Sequence, residues 1–171
     1  MTLNPPKYYS SFIIDGIHFT VITSTNGIRD IVFNIDKVNS KLLNTTQLKP
    51  DDPDMFNVYT QLTEYFSGER KHFDLPLEIK GTEFQKRVWN ELLKIPYGRT
   101  ISYKELAVRL GDEKVIRAAA SANGANPLPI VIPCHRVIGS NGSLIGYGRG
   151  LEIKEKLLVL EGSRQQDLFY L

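Results

Sequence analysis

The sequence predicts an α+β protein with two parts, a small antiparallel-sheet part over residues 1–80 and a mostly helical part over residues 81–171. Two observations predict this division. Near the start of the chain, short apolar runs are separated by Gly-containing turn dipeptides, which is typical of an antiparallel sheet. After Gly81, apolar residues recur at helical spacing behind Thr and Ser capping residues. Hydrophobic residues make up 42% of the 171 residues, which is enough for a core.

Three strands are predicted at the beginning of the first part. Asp15-Gly16 and Asn26-Gly27 are favoured hairpin turns between the apolar runs of residues 8–35, so we expect a three-stranded antiparallel meander. Residues 36–52 are polar and predict a loop.

A helix is predicted to begin at Pro53 and to end at Ser67-Gly68, because apolar residues recur between them at helical spacing. Residues 73–79 predict one more strand. His18 and His72 are isolated histidines, and nothing in this half indicates chemistry.

The second part predicts a helix-turn-helix. A first helix begins at Thr82, within a capping box, and stops near Pro96. A second capping box at residues 102–105 opens a short helix that Gly111 ends, and a third helix follows over residues 113–122. Two short helices joined by a tight turn containing Gly are typical of a helix-turn-helix.

The third helix carries almost no bulk, since residues 117–122 are Arg-Ala-Ala-Ala-Ser-Ala. One interpretation is a tightly packed core helix, because Ala is the best helix former. The other is a helix thin enough to enter a DNA groove, with Arg117 as its long cationic side chain. Long side chains for reading base edges are missing, which argues against sequence-specific recognition in the major groove and leaves contact by shape and backbone charge.

Composition excludes several classes of protein. The sequence lacks an apolar run of the roughly 20 residues that span a bilayer, and its first residues do not resemble a secretory signal, so we expect a cytoplasmic protein. Cys134 is the only cysteine, which excludes an internal disulfide and any zinc site built on several cysteines. Residues 77–171 carry fourteen Lys or Arg against ten Asp or Glu, and this basic excess modestly supports a polyanionic partner.

Cys134 follows a β-branched run between Pro129 and Pro133, and the prolines predict a stiff local backbone. His135 and Arg136 come next and are predicted to favour the thiolate, the nucleophilic form of cysteine. These features favour a reactive cysteine over a buried structural thiol, which free cysteine often is.

Two features follow the cysteine. Tyr147 lies among the glycines of residues 146–150, a pattern that suits the wall of a pocket for a flat ring. The last helix, predicted over residues 151–161 with Leu151 in the core, places Glu161 at its C-terminus. A carboxylate opposes the helix dipole there, so Glu161 is expected to have another role.

Several motifs of residues 82–162 together resemble the O6-alkylguanine-DNA alkyltransferases. Ile132-Pro133-Cys134-His135-Arg136-Val137 is similar to the active-site signature of that family. The supporting matches are Asn126-Pro127-Leu128-Pro129, the stretch from Ile101 to Ala107, Arg117, Tyr147-Gly148 and Leu160-Glu161-Gly162. The resemblance implies a ribonuclease H-like first domain over residues 1–80. It implies a winged-helix-like domain with an active-site loop, for DNA binding and alkyl transfer, over residues 81–171.

The resemblance also implies catalytic roles. Cys134 is then the nucleophile, which takes the alkyl group of O6-alkylguanine irreversibly and acts once. His135, through a water molecule, and Glu161 draw off the thiol proton. Asn126 holds the turn before the active-site strand, and Tyr103 donates a proton or a hydrogen bond to the guanine. The family implies no cofactor and, with a single cysteine here, no metal. It leaves open whether O4-alkylthymine is a substrate.

The implied partner is double-stranded DNA, bound by a monomer through the minor groove with the alkylated base flipped out. Tyr147 and the Gly148 amide line the base pocket, while the carbonyl groups of Val137 and Cys134 read the guanine amino group. Three further residues are implied to contact the DNA: Arg117, which fills the gap left by the base, and Lys104 and Ser140, which contact phosphates. Arg149 departs from the family, which commonly has consecutive glycines there, and so bears on the pocket rim.

Three other functions stay open from the residues alone. A cysteine hydrolase also needs Cys and His, although neighbouring residues of a strand, as expected for Cys134 and His135, point to opposite faces. A non-catalytic binder of alkylated DNA is disfavoured because the cysteine is present. A transcription regulator is disfavoured because the recognition helix lacks bulk and the sequence has no evident dimerisation segment.

Overall fold

The computed structural model describes residues 7–33, 42 and 44–165. The chain divides into two compact units, residues 1–80 and 81–171. The first unit is built on a mainly antiparallel sheet and the second is mostly helical, which confirms the predicted α+β class. No helix among the described residues combines the length and apolar character that crossing a membrane requires.

The sheet of the first unit contains the predicted meander and one additional strand. Its strands are β1 (Lys7–Ile14), β2 (Ile17–Ser24), β3 (Gly27–Phe33) and β4 (Thr45–Gln47), in the order β3-β2-β1-β4. β4 pairs in parallel with β1, so the prediction of a loop over residues 36–52 is wrong at β4. The strand predicted at residues 73–79 is also wrong, because only Leu77 forms an isolated bridge, to Ile28.

One helix covers the core of the first unit. Pro53–Met55 form a 3₁₀ turn, and α1 (Val58–Phe66) begins only after Phe56 and Asn57, which both have positive φ. The helix predicted from Pro53 is therefore broken at its start. Leu62 and Tyr65 of α1 are fully buried in the core of this unit.

The second unit contains four helices among the described residues. They are α2 (Glu83–Leu93), α3 (Tyr103–Arg109), α4 (Ile116–Gly124) and α5 (Leu151–Leu160), with two short parallel strands, β5 (Ile101–Ser102) and β6 (Val137–Ile138). The capping box predicted at Thr82 is present. Ser102 caps α3, with its hydroxyl accepting from the Glu105 amide at 3.0 Å, but the Glu105 carboxylate binds Arg109 instead of returning to complete a box.

The Ala-rich helix α4 has one face packed in the core, as the first sequence interpretation predicts, and one exposed face, whose contact with DNA stays a prediction. Ala119, Ala122 and Asn123 are buried, whereas Arg117 is exposed. Glu113–Val115 form a 3₁₀ turn, so the α-helix begins and ends later than predicted. The Trp89 indole donates to the Ala122 carbonyl at 2.8 Å, which fixes the end of α4 on α2. This contact satisfies a carbonyl in the last turn of the helix.

Candidate active site

Cys134 lies in a tight buried turn, which agrees with the predicted active-site loop and corrects the expectation that Cys134 and His135 lie in a strand. Cys134–Arg136 form a 3₁₀ turn, and the cysteine is 1% exposed. The β-branched run before it suggested a strand, but Pro129 and Pro133 have no amide hydrogen for a sheet ladder. The Cys134 amide donates to the Ile132 carbonyl at 2.8 Å, so the backbone turns at Cys134.

The Asn126 side chain holds the loop that leads to this turn. Its Nδ2 donates to the Ile132 carbonyl at 2.7 Å, and its Oδ1 accepts from the Leu128 amide at 2.9 Å. Asn126 is fully buried. One amide group thus ties both ends of the loop together and fixes the backbone before Cys134.

Glu161 lies between the two residues that follow the cysteine. Its carboxylate is 2.8 Å from Nε2 of His135, and it accepts two hydrogen bonds of 2.9 Å from the Arg136 guanidinium. The side chains of His135 and Glu161 are completely buried. Arg136 also donates to the Ile95 carbonyl at 2.6 Å. These contacts account for a carboxylate at the C-terminus of α5, where the helix dipole opposes it.

The protonation states of this cluster follow from its contacts. Burial raises the pKa of Glu161, but the hydrogen bonds and charges of His135 and Arg136 outweigh it and lower this pKa to about 2. Burial lowers the pKa of His135, so the imidazole is neutral at pH 7 even though Glu161 favours its protonation. Since the carboxylate can only accept, Nε2 of His135 carries the proton. Nδ1 is then an acceptor, and it is buried without a protein partner among the described residues.

The charges that favour the Cys134 thiolate differ from the predicted ones. Burial raises the pKa of the thiol, while the charges of Arg149 and Lys154 lower it. Arg136, which was expected to act on the thiol, is instead paired with Glu161. The prediction that His135 and Arg136 supply the stabilising charge is therefore corrected to Arg149 and Lys154.

Two tyrosines and a lysine surround the thiol. Tyr103 and Tyr147 are each 7% exposed, and the Lys154 ammonium lies 5.8 Å from the centre of each ring. Burial and the Cys134 charge raise the pKa of Tyr103 to about 12, and burial also raises that of Tyr147. Lys154 is fully buried and donates to the Val137 carbonyl at 2.6 Å.

Lys154 was missed in the sequence because its interactions are with distant residues. Burial lowers its pKa to about 8, although the Cys134 charge favours the ammonium. Leu151, which the helical pattern placed in the core, is 47% exposed, while Lys154 of the same helix is buried. The one signal in the sequence was the position of Lys154, three and four residues before Leu157 and Leu158 and therefore on the same face of α5.

Arg149 fixes the glycine-rich segment to the loop of Asn126. Its Nη2 donates to the Asn126 carbonyl at 2.6 Å. The residue that departs from the family pattern therefore spans the rim between these two segments and places its charge where it acts on the thiol.

The residues predicted to contact DNA or the base differ in exposure. Arg117, Lys104 and Ser140 are exposed, and Lys104 is 3.4 Å from Glu113 in a solvent-exposed ion pair. Gly148 is exposed beside the buried Tyr147, and Val137 is fully buried. Among the described residues there is no group of three or more His, Cys, Asp or Glu side chains able to hold a metal ion.

Both halves of the chain match models of one family. Residues 8–79 match the ribonuclease-like domain of 6-O-methylguanine DNA methyltransferase, and residues 83–163 match its DNA-binding domain. A crystal structure of Mycobacterium tuberculosis O6-methylguanine methyltransferase is 37% identical, covers 94% of this chain and 95% of that chain, and has a TM-score of 0.84. The chain therefore belongs to the 6-O-methylguanine DNA methyltransferase family, which confirms the resemblance seen in the sequence.

Two further relatives carry more specific names. The methylated-DNA–protein-cysteine methyltransferase of Methanosarcina acetivorans is 58% identical over 103 residues, which is 60% of this chain and 66% of that protein. A crystal structure of Mycobacterium tuberculosis OGT in complex with DNA is 38% identical, covers 91% of this chain and 93% of that chain, and has a TM-score of 0.81.

Replacing the buried carboxylate tests its structural role. Glu161→Gln is expected to lower the free energy of unfolding at pH 7 by about 3–5 kcal/mol, because it leaves the Arg136 charge buried without its partner. Since folding lowers the pKa of Glu161 from 4.5 to about 2, its stabilisation is present above pH 4.5 and is lost as the pH falls towards 2. Urea unfolding of the wild-type protein and Glu161→Gln across this range should show the difference between their free energies of unfolding shrinking as the pH falls.

Glu155→Gln, which removes a partly exposed ion pair with Arg164, is the control and should cost less than about 1 kcal/mol. Equal effects of the two variants at pH 7 would contradict this account.

The role of Arg149 can be measured directly on the thiol. Because Cys134 is the single cysteine, its alkylation by a small haloacetamide can be followed by intact mass without background. Arg149→Gln removes a positive charge that lowers the thiol pKa, so the pH profile of the reaction should move to higher pH. Arg149→Lys keeps the charge and should move it less. A profile that stays in place or moves to lower pH in Arg149→Gln would refute the assignment.

Proposed function

We propose that this chain repairs DNA directly, by moving the alkyl group from the O6 atom of O6-alkylguanine in DNA to Sγ of Cys134. The observation that carries the proposal is the single cysteine, buried in a turn in which it is followed by a neutral His135 whose Nε2 is held by an ionised carboxylate. The family of the chain and the names of its relatives support the same activity.

The bonds and protons of this reaction balance without a cofactor. Nδ1 of His135 takes the thiol proton, through a water molecule, and the Glu161 carboxylate stabilises the resulting imidazolium. The thiolate attacks the alkyl carbon, so a sulfur–carbon bond forms while the bond between that carbon and O6 breaks. The electron pair of that bond leaves with the guanine, and Tyr103 donates a proton or a hydrogen bond to it, which relieves its developing charge. The thiol proton held by His135 is then released through water, which leaves neutral guanine, neutral Tyr103 and neutral His135. The thioether is inert, and each molecule therefore acts once.

The base is bound between the two tyrosines and the backbone. Tyr147 and the Gly148 amide line the pocket, and the carbonyl groups of Cys134 and Val137 accept from the guanine amino group. The Val137 carbonyl already accepts from Lys154, but a carbonyl oxygen has two lone pairs, so one remains for the base. The Cys134 carbonyl accepts from the Val137 amide and, at 3.3 Å, from Asn123, so the guanine amino group shares a lone pair with the longer of these bonds.

Double-stranded DNA is the proposed partner, bound by the unit of residues 81–171. The complex of Mycobacterium tuberculosis OGT with DNA supports DNA binding. The exposed face of α4 carries small residues and Arg117, which suits a minor groove from which the alkylated base has been flipped out. Arg117 then fills the gap, and Lys104 and Ser140 contact phosphates. We further propose that the protein acts as a monomer in the cytoplasm and that residues 1–80 form a separate amino-terminal domain.

Intact mass spectrometry tests this function. After the protein is mixed with a duplex containing O6-methylguanine, each chain should gain one methyl group at Cys134. Cys134→Ser should gain none and should still bind the duplex, because the pocket is unchanged.

Other outcomes would overturn the proposal. Lesion binding by the wild-type protein without a mass change would indicate a recognition protein. Neither binding nor transfer, together with turnover of an ester, would favour a cysteine hydrolase.

A further inference from the structure

Asn123, which has no role in the mechanism above, lies between its nucleophile and its proton donor. The residue is in the last turn of α4 and is 1% exposed. Its Nδ2 is 3.3 Å from the Cys134 carbonyl and 3.4 Å from the Tyr103 hydroxyl oxygen. This amide therefore contacts both residues that the proposed reaction needs.

The chemistry of these partners fixes the orientation of the amide. The Cys134 carbonyl can only accept, so the NH₂ end of Asn123 must face it. The same NH₂ group has a second hydrogen for Tyr103, whose oxygen then accepts on this side. The hydroxyl hydrogen of Tyr103 has to point elsewhere, and in the free protein it is directed to the Ile145 carbonyl at 3.3 Å.

The hydroxyl of Tyr103 is also confined on its other side. A Cβ atom at Gly146 would lie 2.5 Å from this oxygen, so the glycine backbone closes against it. Asn123 and Gly146 together leave few directions for the Tyr103 proton.

The remaining atom of the amide indicates that Asn123 is not there for packing. Its Oδ1 is buried without a partner among the described residues. An unsatisfied buried acceptor lowers the stability of the folded protein, a cost that a leucine of similar volume would avoid. A polar residue at this position therefore lowers stability, and its presence is explained if its NH₂ group has a function.

We infer that Asn123 is a positioning residue for alkyl transfer: anchored on the Cys134 carbonyl, it holds the Tyr103 hydroxyl as an acceptor and thereby directs the hydroxyl proton towards the departing base. This inference rests on the proposed function, because it requires Tyr103 to donate to guanine. The same hydrogen bond also acts against burial, which raises the pKa of Tyr103, and so keeps the hydroxyl a better donor.

A double-mutant cycle tests the coupling. Single-turnover transfer from O6-methylguanine DNA at saturating DNA is measured for the wild-type protein, Tyr103→Phe, Asn123→Leu and the double variant. Asn123→Leu should slow transfer by about tenfold or more in the wild-type background, but by less than about threefold when Tyr103 is already Phe. Lesion affinity, measured in the Cys134→Ser background, should change by less than about threefold on Asn123→Leu.

Asn123→Asp provides the matched variant, because it keeps the size of the side chain and removes the NH₂ group. It should transfer at least as slowly as Asn123→Leu, and it serves as the test if the leucine variant does not fold by circular dichroism. Equal losses from Asn123→Leu in both backgrounds, or full transfer by Asn123→Asp, would overturn the inference. A wild-type protein that does not transfer at all would instead overturn the proposed function, so the two failures are distinguishable.

Discussion

The second unit depends on one buried carboxylate. The Glu161 carboxylate accepts hydrogen bonds from His135 and Arg136, and Arg136 also donates to the carbonyl of Ile95, which follows α2. The end of α5, the turn of Cys134 and the segment that follows α2 are thereby joined through the pair of Glu161 and Arg136. Such a buried ion pair adds little net stability compared with apolar packing, but the loss of one partner is expensive. The arrangement is therefore better explained by what it does to His135, whose proton it holds on Nε2 while burial keeps the imidazole neutral.

Two effects on the pKa of Cys134 act in opposite directions. Burial favours the neutral thiol, while Arg149 and Lys154 favour the thiolate from two sides. Burial also lowers the pKa of Lys154 and so disfavours its cationic form. The ammonium group is held in place by hydrogen bonds to the carbonyl groups of Val137 and Ile145. The nucleophile is thus kept away from solvent in a site whose fixed charges suit the anion that forms during transfer. A free surface cysteine would have neither property.

Local signals in the sequence predicted most of the elements and the nucleophile. The Asp15-Gly16 turn predicted the first hairpin, and the Thr82 box predicted the start of α2. The unfavourable position of Glu161 indicated a role other than that of a surface acid, and its carboxylate is indeed buried against His135 and Arg136. The features that were missed depend on contacts between distant residues. β4 has only three residues and is stabilised by pairing with β1, while Asn123 and Lys154 are polar residues whose partners are known only once the helices are packed. The turn at Cys134 was mistaken for a strand because β-branched residues dominate the run before it.

The protonation state of His135 tests the account most directly, because the proposed reaction needs an imidazole that accepts a proton at Nδ1. Nitrogen NMR of the protein labelled at histidine distinguishes the two neutral tautomers and the imidazolium. The account predicts a neutral His135 with its proton on Nε2 at pH 7 and above, because burial lowers its pKa. It also predicts a weaker preference for this tautomer in Glu161→Gln, because a side-chain amide can donate to Nε2 as well as accept from it. A proton on Nδ1, or an imidazolium at neutral pH in the free protein, would contradict it.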